Sequence, residues 1–250
     1  MIHGGSIPAR QDQLEAGSPL RTPRAAAAAG IAFALLTATS LILLRLSTPA
    51  NPANAGQWLS DSGRRKAVSV ALNLIPFAGI AFLWFIGVLR DRIGQREDRF
   101  FATVFLGSGL LFVGMFFCAA ALAGGLISTA AAHPKALPGS DILALGRGAT
   151  TILLNVYSMR MAAVFTITTV TIARRTEIIS RWLWGAGLVT ALVLLVAVSF
   201  SSWVELLFPA WILALSIDIL AGSGRKRDPA SRSGGNSSSP SRPAPAAGGA

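Results

Sequence analysis

"AVSVALNLIPFAGIAFLWFIGVLRDRIGQREDRFFATVFLGSGLLFVGMFFCAAAL", residues 67–122, decides the fold. Two apolar runs, 67–89 and 100–122, flank a segment with four Arg against three acids. Each run is long enough to cross a hydrocarbon core about 30 Å thick, at about 1.5 Å per helical residue. The charged linker, 90–99, is so short that the two helices must be antiparallel neighbours. Pro76 lies inside the first run, and the helix hydrogen bond it removes predicts a kink there. The whole chain has the same character. Of 250 residues, 52% are hydrophobic and 13% charged, with a mean hydropathy of +0.58. Soluble domains carry about 25% charged residues. The fold class is all-α: a polytopic six-helix transmembrane bundle with disordered termini.

Working outward, the other spans fall at about 25–44, 148–173, 182–200 and 203–220. Ile142 to Leu145 reads as an extra turn or re-entrant piece before the fourth. The transmembrane domain is bounded as 25–222. Residues 1–24 read as a polar cytoplasmic tail, and 223–250 as a basic one rich in Ser, Pro, Gly and Arg that cannot bury a core. A signal peptide competes for the first run, with Ala53-Asn54-Ala55 as a small-x-small cleavage site. The run exceeds the usual signal core of about 7–15 residues, and Arg45 interrupts the approach to the site. An uncleaved span is the expectation.

Six spans place both termini on one side. Fifteen Lys and Arg fall in the segments on that side and six on the other, Arg160 being the remaining one of 22. Basic residues hold loops in the cytoplasm, so both termini are expected there. The same rule accounts for the net charge of +11 without a polyanion, and nucleic acid is not an expected partner. Trp58 and Trp203 near one interface, and Trp182 and Trp184 near the other, agree with an aromatic belt. The single cysteine, Cys118, has no partner for an intramolecular disulfide. His3 and His133 make no metal site, and no P-loop, dinucleotide fingerprint, HExxH or nucleophile elbow is present. No cofactor is expected, and the chain does not read as an enzyme.

One polar constellation stands out. In "NVYSMRMAAVFTITTVTIARR", residues 155–175, Arg160 sits about 12 residues from either end of its span. At that depth an arginine costs about 2.5–3.5 kcal/mol on insertion scales, so it should face other helices or a wet cavity. At about 100° per residue, Tyr157, Thr168 and Thr171 lie within 80° of it, while Val164 and Ile167 interrupt the same face. The candidate intramembrane polar site is Arg160, Tyr157, Thr168, Thr171 and Glu205. It reads either as an interhelical clamp or as a contact for a small solute. Glu205 has a second reading: Ser202 and Glu205 are spaced as a capping box. Asp218 lies near the cytoplasmic basic cluster. In span 3, Gly107, Gly114, Cys118 and Ala121 form a small-residue stripe that predicts close helix approach. Asn73 reads as a packing residue beside Pro76.

The segments "IPFAGIAFLWFIGVLRDRIG" (75–94), "EDRFFATVFLGSGLLFVGMFF" (97–117), "NVYSMRMAAVF" (155–165) and "LLFPAWILALSIDIL" (206–220) resemble uncharacterised integral membrane proteins of high-GC bacteria. That resemblance implies a bacterial plasma-membrane protein and carries no activity and no site residues. The functional expectation is a non-enzymatic structural or accessory membrane component. The alternative is a small-solute or ion transporter with Arg160 lining a polar path. Expected partners are the lipid bilayer and either a second copy or another membrane protein.

Overall fold

The computed structural model describes residues 23–48, 61–93, 99–132, 141–175, 180–197 and 201–225. The tail segments before 23 and after 225, the Ala53–Ala55 site, Trp58 and the 133–140 loop lie outside these residues. All described elements are helical. They are α1 (Pro23–Ser47), α2 (Ser62–Ile93), α3 (Arg99–Ala132), α4 (Asp141–Thr151), α5 (Met159–Arg175), α6 (Arg181–Val196) and α7 (Leu207–Arg225). A π-helical segment, Ile152–Ser158, joins α4 to α5, and a 3-10 turn, Ser202–Leu206, leads into α7. The result is six helical rods, five of them long and apolar enough to cross a membrane. The chain is thus built as an integral membrane protein.

Several boundaries move. Pro23 opens α1, where its missing N–H is one of the unpaired helix-start donors anyway. α2 runs on through Pro76, and Asn73 Nδ2 donates to the Ser69 carbonyl 2.8 Å away, a local bond rather than one between helices. The piece expected at 142–145 is no separate element but the start of the fourth rod. That rod continues through a wide turn in which the Met159 N–H donates to the Leu154 carbonyl. α6 has 16 residues, about 24 Å of helix, and falls short of a full hydrocarbon thickness.

The rods close into a ring in chain order: α1 packs on α2, α2 on α3, α3 on α5, α5 on α6, α6 on α7, and α7 returns to α1. Contacts at the rod ends fix alternating directions. Leu44 at the end of α1, Val68 at the start of α2, Ala130 at the end of α3 and Leu143 at the start of α4 share one small cluster. At the opposite end, the guanidinium of Arg174 in α5 lies 4.6 Å from the ring centroid of Trp184 in α6. We call the end that holds Leu44 and Val68 the far side and the other end the terminal side.

Phenylalanine fills the ring's centre. Phe33, Phe82, Phe112, Phe165 and Phe208, from α1, α2, α3, α5 and α7, are fully buried. Phe82 touches the other four at centroid separations of 4.6, 5.2, 5.1 and 5.8 Å. Most of these contacts are tilted or edge-on, the arrangement favoured by the ring quadrupoles. Lipid tails are as apolar as a protein interior, so burying these rings gains little from the hydrophobic effect. What holds the centre is close packing and dispersion. Arg90 and Arg174 lie eight and nine residues beyond Phe82 and Phe165 on the terminal side. At 1.5 Å per residue that is about 12 and 14 Å, so the phenylalanine layer sits near the bilayer midplane.

Candidate functional site

The fourth rod places the expected polar stripe differently from the sequence reading. Arg160 and Tyr157 are exposed, Thr171 is half-buried, and Thr168 is buried. The outward stripe is Tyr157, Arg160, Val164, Ile167 and Thr171. The opposite side carries Ala162, Ala163, Phe165, Thr166, Thr169, Val170 and Ile172, all buried. Arg160 therefore does not face the bundle interior. The reason is steric: alanines and hydroxyl residues let α5 approach α3 and α6 closely, and a guanidinium on that side would force them apart. The buried threonines behave as apolar residues. The hydroxyls of Thr166, Thr168 and Thr169 donate to the carbonyls of Ala162, Val164 and Phe165 at 2.7–2.8 Å, as does that of Thr171 to Ile167. Ser158, in the π segment, reaches across to the Phe112 carbonyl at 3.4 Å.

The rod's length also changes the depth of Arg160. The helix continues to Asp141, so residue 148 does not mark its far end. Measured from Arg174, Arg160 stands fourteen residues up, about 21 Å into a core about 30 Å thick.

Glu205 is 1% exposed, and its partner is Arg45, not Arg160: Arg45 Nη2 lies 2.5 Å from Glu205 Oε1. The second oxygen, Oε2, has no hydrogen-bond partner among the described residues, and the side chain of Ser202, the expected partner in a capping box, lies outside them. The N-cap of the 3-10 turn is Ser201, whose side chain makes no capping bond. The pair joins the last turn of α1 to the first turn of the last rod, 160 residues apart. Helix dipoles favour both ends of it, a cation at a C-terminus and an anion at an N-terminus. Its effect is to tie the first and last rods, closing the ring on the far side. Thr37 and Ser40, one and two turns beyond Phe33 on the same face of α1, are buried with unpartnered hydroxyls. Both lie beyond the phenylalanine layer, on the far side of it.

Sequence reasoning missed Arg45 as a partner, although a signal existed. Arg45 ends the first span and Glu205 opens the last, so alternating directions place them toward the same end of the bundle. The span-3 stripe is corrected as well. Gly114, Cys118 and Ala121 are exposed and Gly107 is half-buried, and a Cβ on either glycine would meet nothing within 4 Å. The close approach is made by other glycines. A Cβ on Gly187 would stand 2.5 Å from Val170 and 2.6 Å from the indole nitrogen of Trp211. Asp218 is half-buried near the terminal end of α7. Among the described residues, no group of three His, Cys, Asp or Glu is placed to hold a metal ion. No family model, no curated protein and no solved structure matches this chain.

Proposed function

We propose that this chain is a non-catalytic structural or accessory component of a bacterial plasma membrane, with both termini in the cytoplasm. The packed phenylalanine centre carries the first part: five fully buried rings occupy the position where a solute path through the ring would run. The excess of basic residues on the terminal side, and the resemblance of four segments to integral membrane proteins of high-GC bacteria, support the membrane and the orientation. The bare small-residue face of α3 supports action through helix–helix contacts with a second copy or another membrane chain, because small residues allow close approach in lipid. The transporter reading loses its motivating residue, since Arg160 points away from the ring.

The test is flux through proteoliposomes that contain the full chain. The expected result is leak of sodium, chloride and protons no faster than in protein-free vesicles, with no saturable uptake of amino acids, sugars or phosphate. Saturable uptake of any of these would overturn the reading.

A further inference from the structure

Arg160 poses the sharpest physical problem in the molecule. It is exposed on the outside of the bundle, within a rod that crosses the membrane, and has no ion-pair or hydrogen-bond partner among the described residues. Its neighbours on that face, Val164 and Ile167, are apolar. An unpaired guanidinium facing lipid tails is unfavourable by about 2.5–3.5 kcal/mol even on insertion scales, so an anion must be within reach.

Depth identifies the anion. Arg160 Cα stands about 21 Å from the terminal-side boundary, which leaves about 9 Å to the far-side headgroups. Helical side chains lean toward the helix N-terminus, and for this rod that direction is the far side. The arginine stem can lie along the apolar helix surface while its head reaches the phosphate layer. Tyr157 is an independent observation in the same direction. It lies three residues nearer the headgroups, is 54% exposed, and shares the face of Arg160. A phenol at that level, with its ring in the tails and its hydroxyl in the interface, can donate to the same phosphate. A carboxylate on a partner helix would have to sit below the headgroups at matching depth, whereas every phospholipid already supplies a phosphate.

We propose that Tyr157 and Arg160 form a binding site for the headgroup phosphate of a far-leaflet phospholipid. Arg160 supplies the charge and the forked donors, and Tyr157 supplies a neutral donor on the interfacial side. The phospholipid is thereby held against the outer face of α5.

The experiment is native mass spectrometry of the full chain in a non-ionic detergent, as wild type, Arg160→Leu and Arg160→Lys. Each is titrated with phosphatidylglycerol, with a diacylglycerol of the same chains, or with inorganic phosphate. A basic residue near a membrane surface contributes about 1 kcal/mol toward anionic lipid, equivalent to about fivefold in affinity. The expected result is one phosphatidylglycerol adduct weakened about fivefold by Arg160→Leu and less than about twofold by Arg160→Lys. Diacylglycerol should bind all three proteins alike, and inorganic phosphate should leave the adduct intact. Because Arg160 is exposed and makes no contact that holds the fold, both variants should unfold at the wild-type temperature. Identical phosphatidylglycerol titrations for the three proteins would overturn the proposal. So would displacement of the adduct by inorganic phosphate, which would assign the site to a soluble anion. A change of oligomeric mass in Arg160→Leu, with lipid binding unchanged, would overturn it in favour of a protein partner.

Discussion

The Arg45–Glu205 pair gives an asymmetric prediction. Arg45→Ala leaves a carboxylate that is 1% exposed and whose second oxygen has no hydrogen-bond partner among the described residues. Stranding a buried charge in this way costs about 3–5 kcal/mol. Glu205→Ala strands Arg45 instead, but that side chain is 30% exposed and sits at the far-side boundary. It can turn outward to water and headgroups, so the loss is nearer that of one charged hydrogen bond, about 1.5–3 kcal/mol. The double variant Arg45→Ala/Glu205→Ala removes both charges and should cost less than the two single changes combined, by about 0.5–3 kcal/mol. Reversible unfolding in mixed micelles, driven by an anionic detergent and followed by tryptophan fluorescence, gives the free energies. Thermal melts should show the same order, with Arg45→Ala lowering the midpoint by about 6–20 °C at about 2–4 °C per kcal/mol. Equal losses for the single variants, a reversed order, or strict additivity in the double variant would refute the account of this pair as a buried tie closing the ring.

Two further outcomes separate packing from exposure and test orientation. Gly187→Ala drives a methyl group against the stiff Val170 side chain and the Trp211 indole and should destabilise by about 1–3 kcal/mol, whereas Gly114→Ala, in open space, should be neutral or stabilising by up to about 1 kcal/mol. The same unfolding titration reads both, and a larger loss at Gly114 would mean that the α3 face is covered. In a Cys118→Ser background, a cysteine replacing Lys135 should react with a membrane-impermeant maleimide added to intact cells, and one replacing Lys226 should react only after lysis; the opposite pattern would invert the topology.

Much of the fold was legible because it follows from solvent alone. A run of about 20 apolar residues satisfies its backbone internally only as a helix, and short linkers make successive helices neighbours. The number of rods and the alternation of their directions needed no further information, although several rods run on past the ends read from the sequence. Apart from shifted boundaries and the partner of Glu205, the errors concern which way a face points. In water an apolar stripe points inward, and its period reveals the interior. In a bilayer both the interior and the surroundings are apolar, so Gly107, Gly114 and Ala121 in span 3 carried no sign of inside or outside. In span 4 the sign was read backwards. A charged residue was assigned to the interior because lipid is hostile to it, although the inward side of α5 is filled by alanines, hydroxyl residues and Phe165, and Arg160 is exposed on the other.

The sequence by itself indicated an all-helical chain with membrane-length apolar runs and the uneven distribution of basic residues among its linkers and tails, because those properties depend on local composition and length. Only the tertiary structure decided that the six rods close into a ring around Phe33, Phe82, Phe112, Phe165 and Phe208, that Glu205 belongs to Arg45, and that Arg160 is exposed on the outside of the bundle. These depend on which helix surfaces fit together at close range. Shape and small-residue placement settle that fit, and in a bilayer the pattern of apolar residues does not encode it.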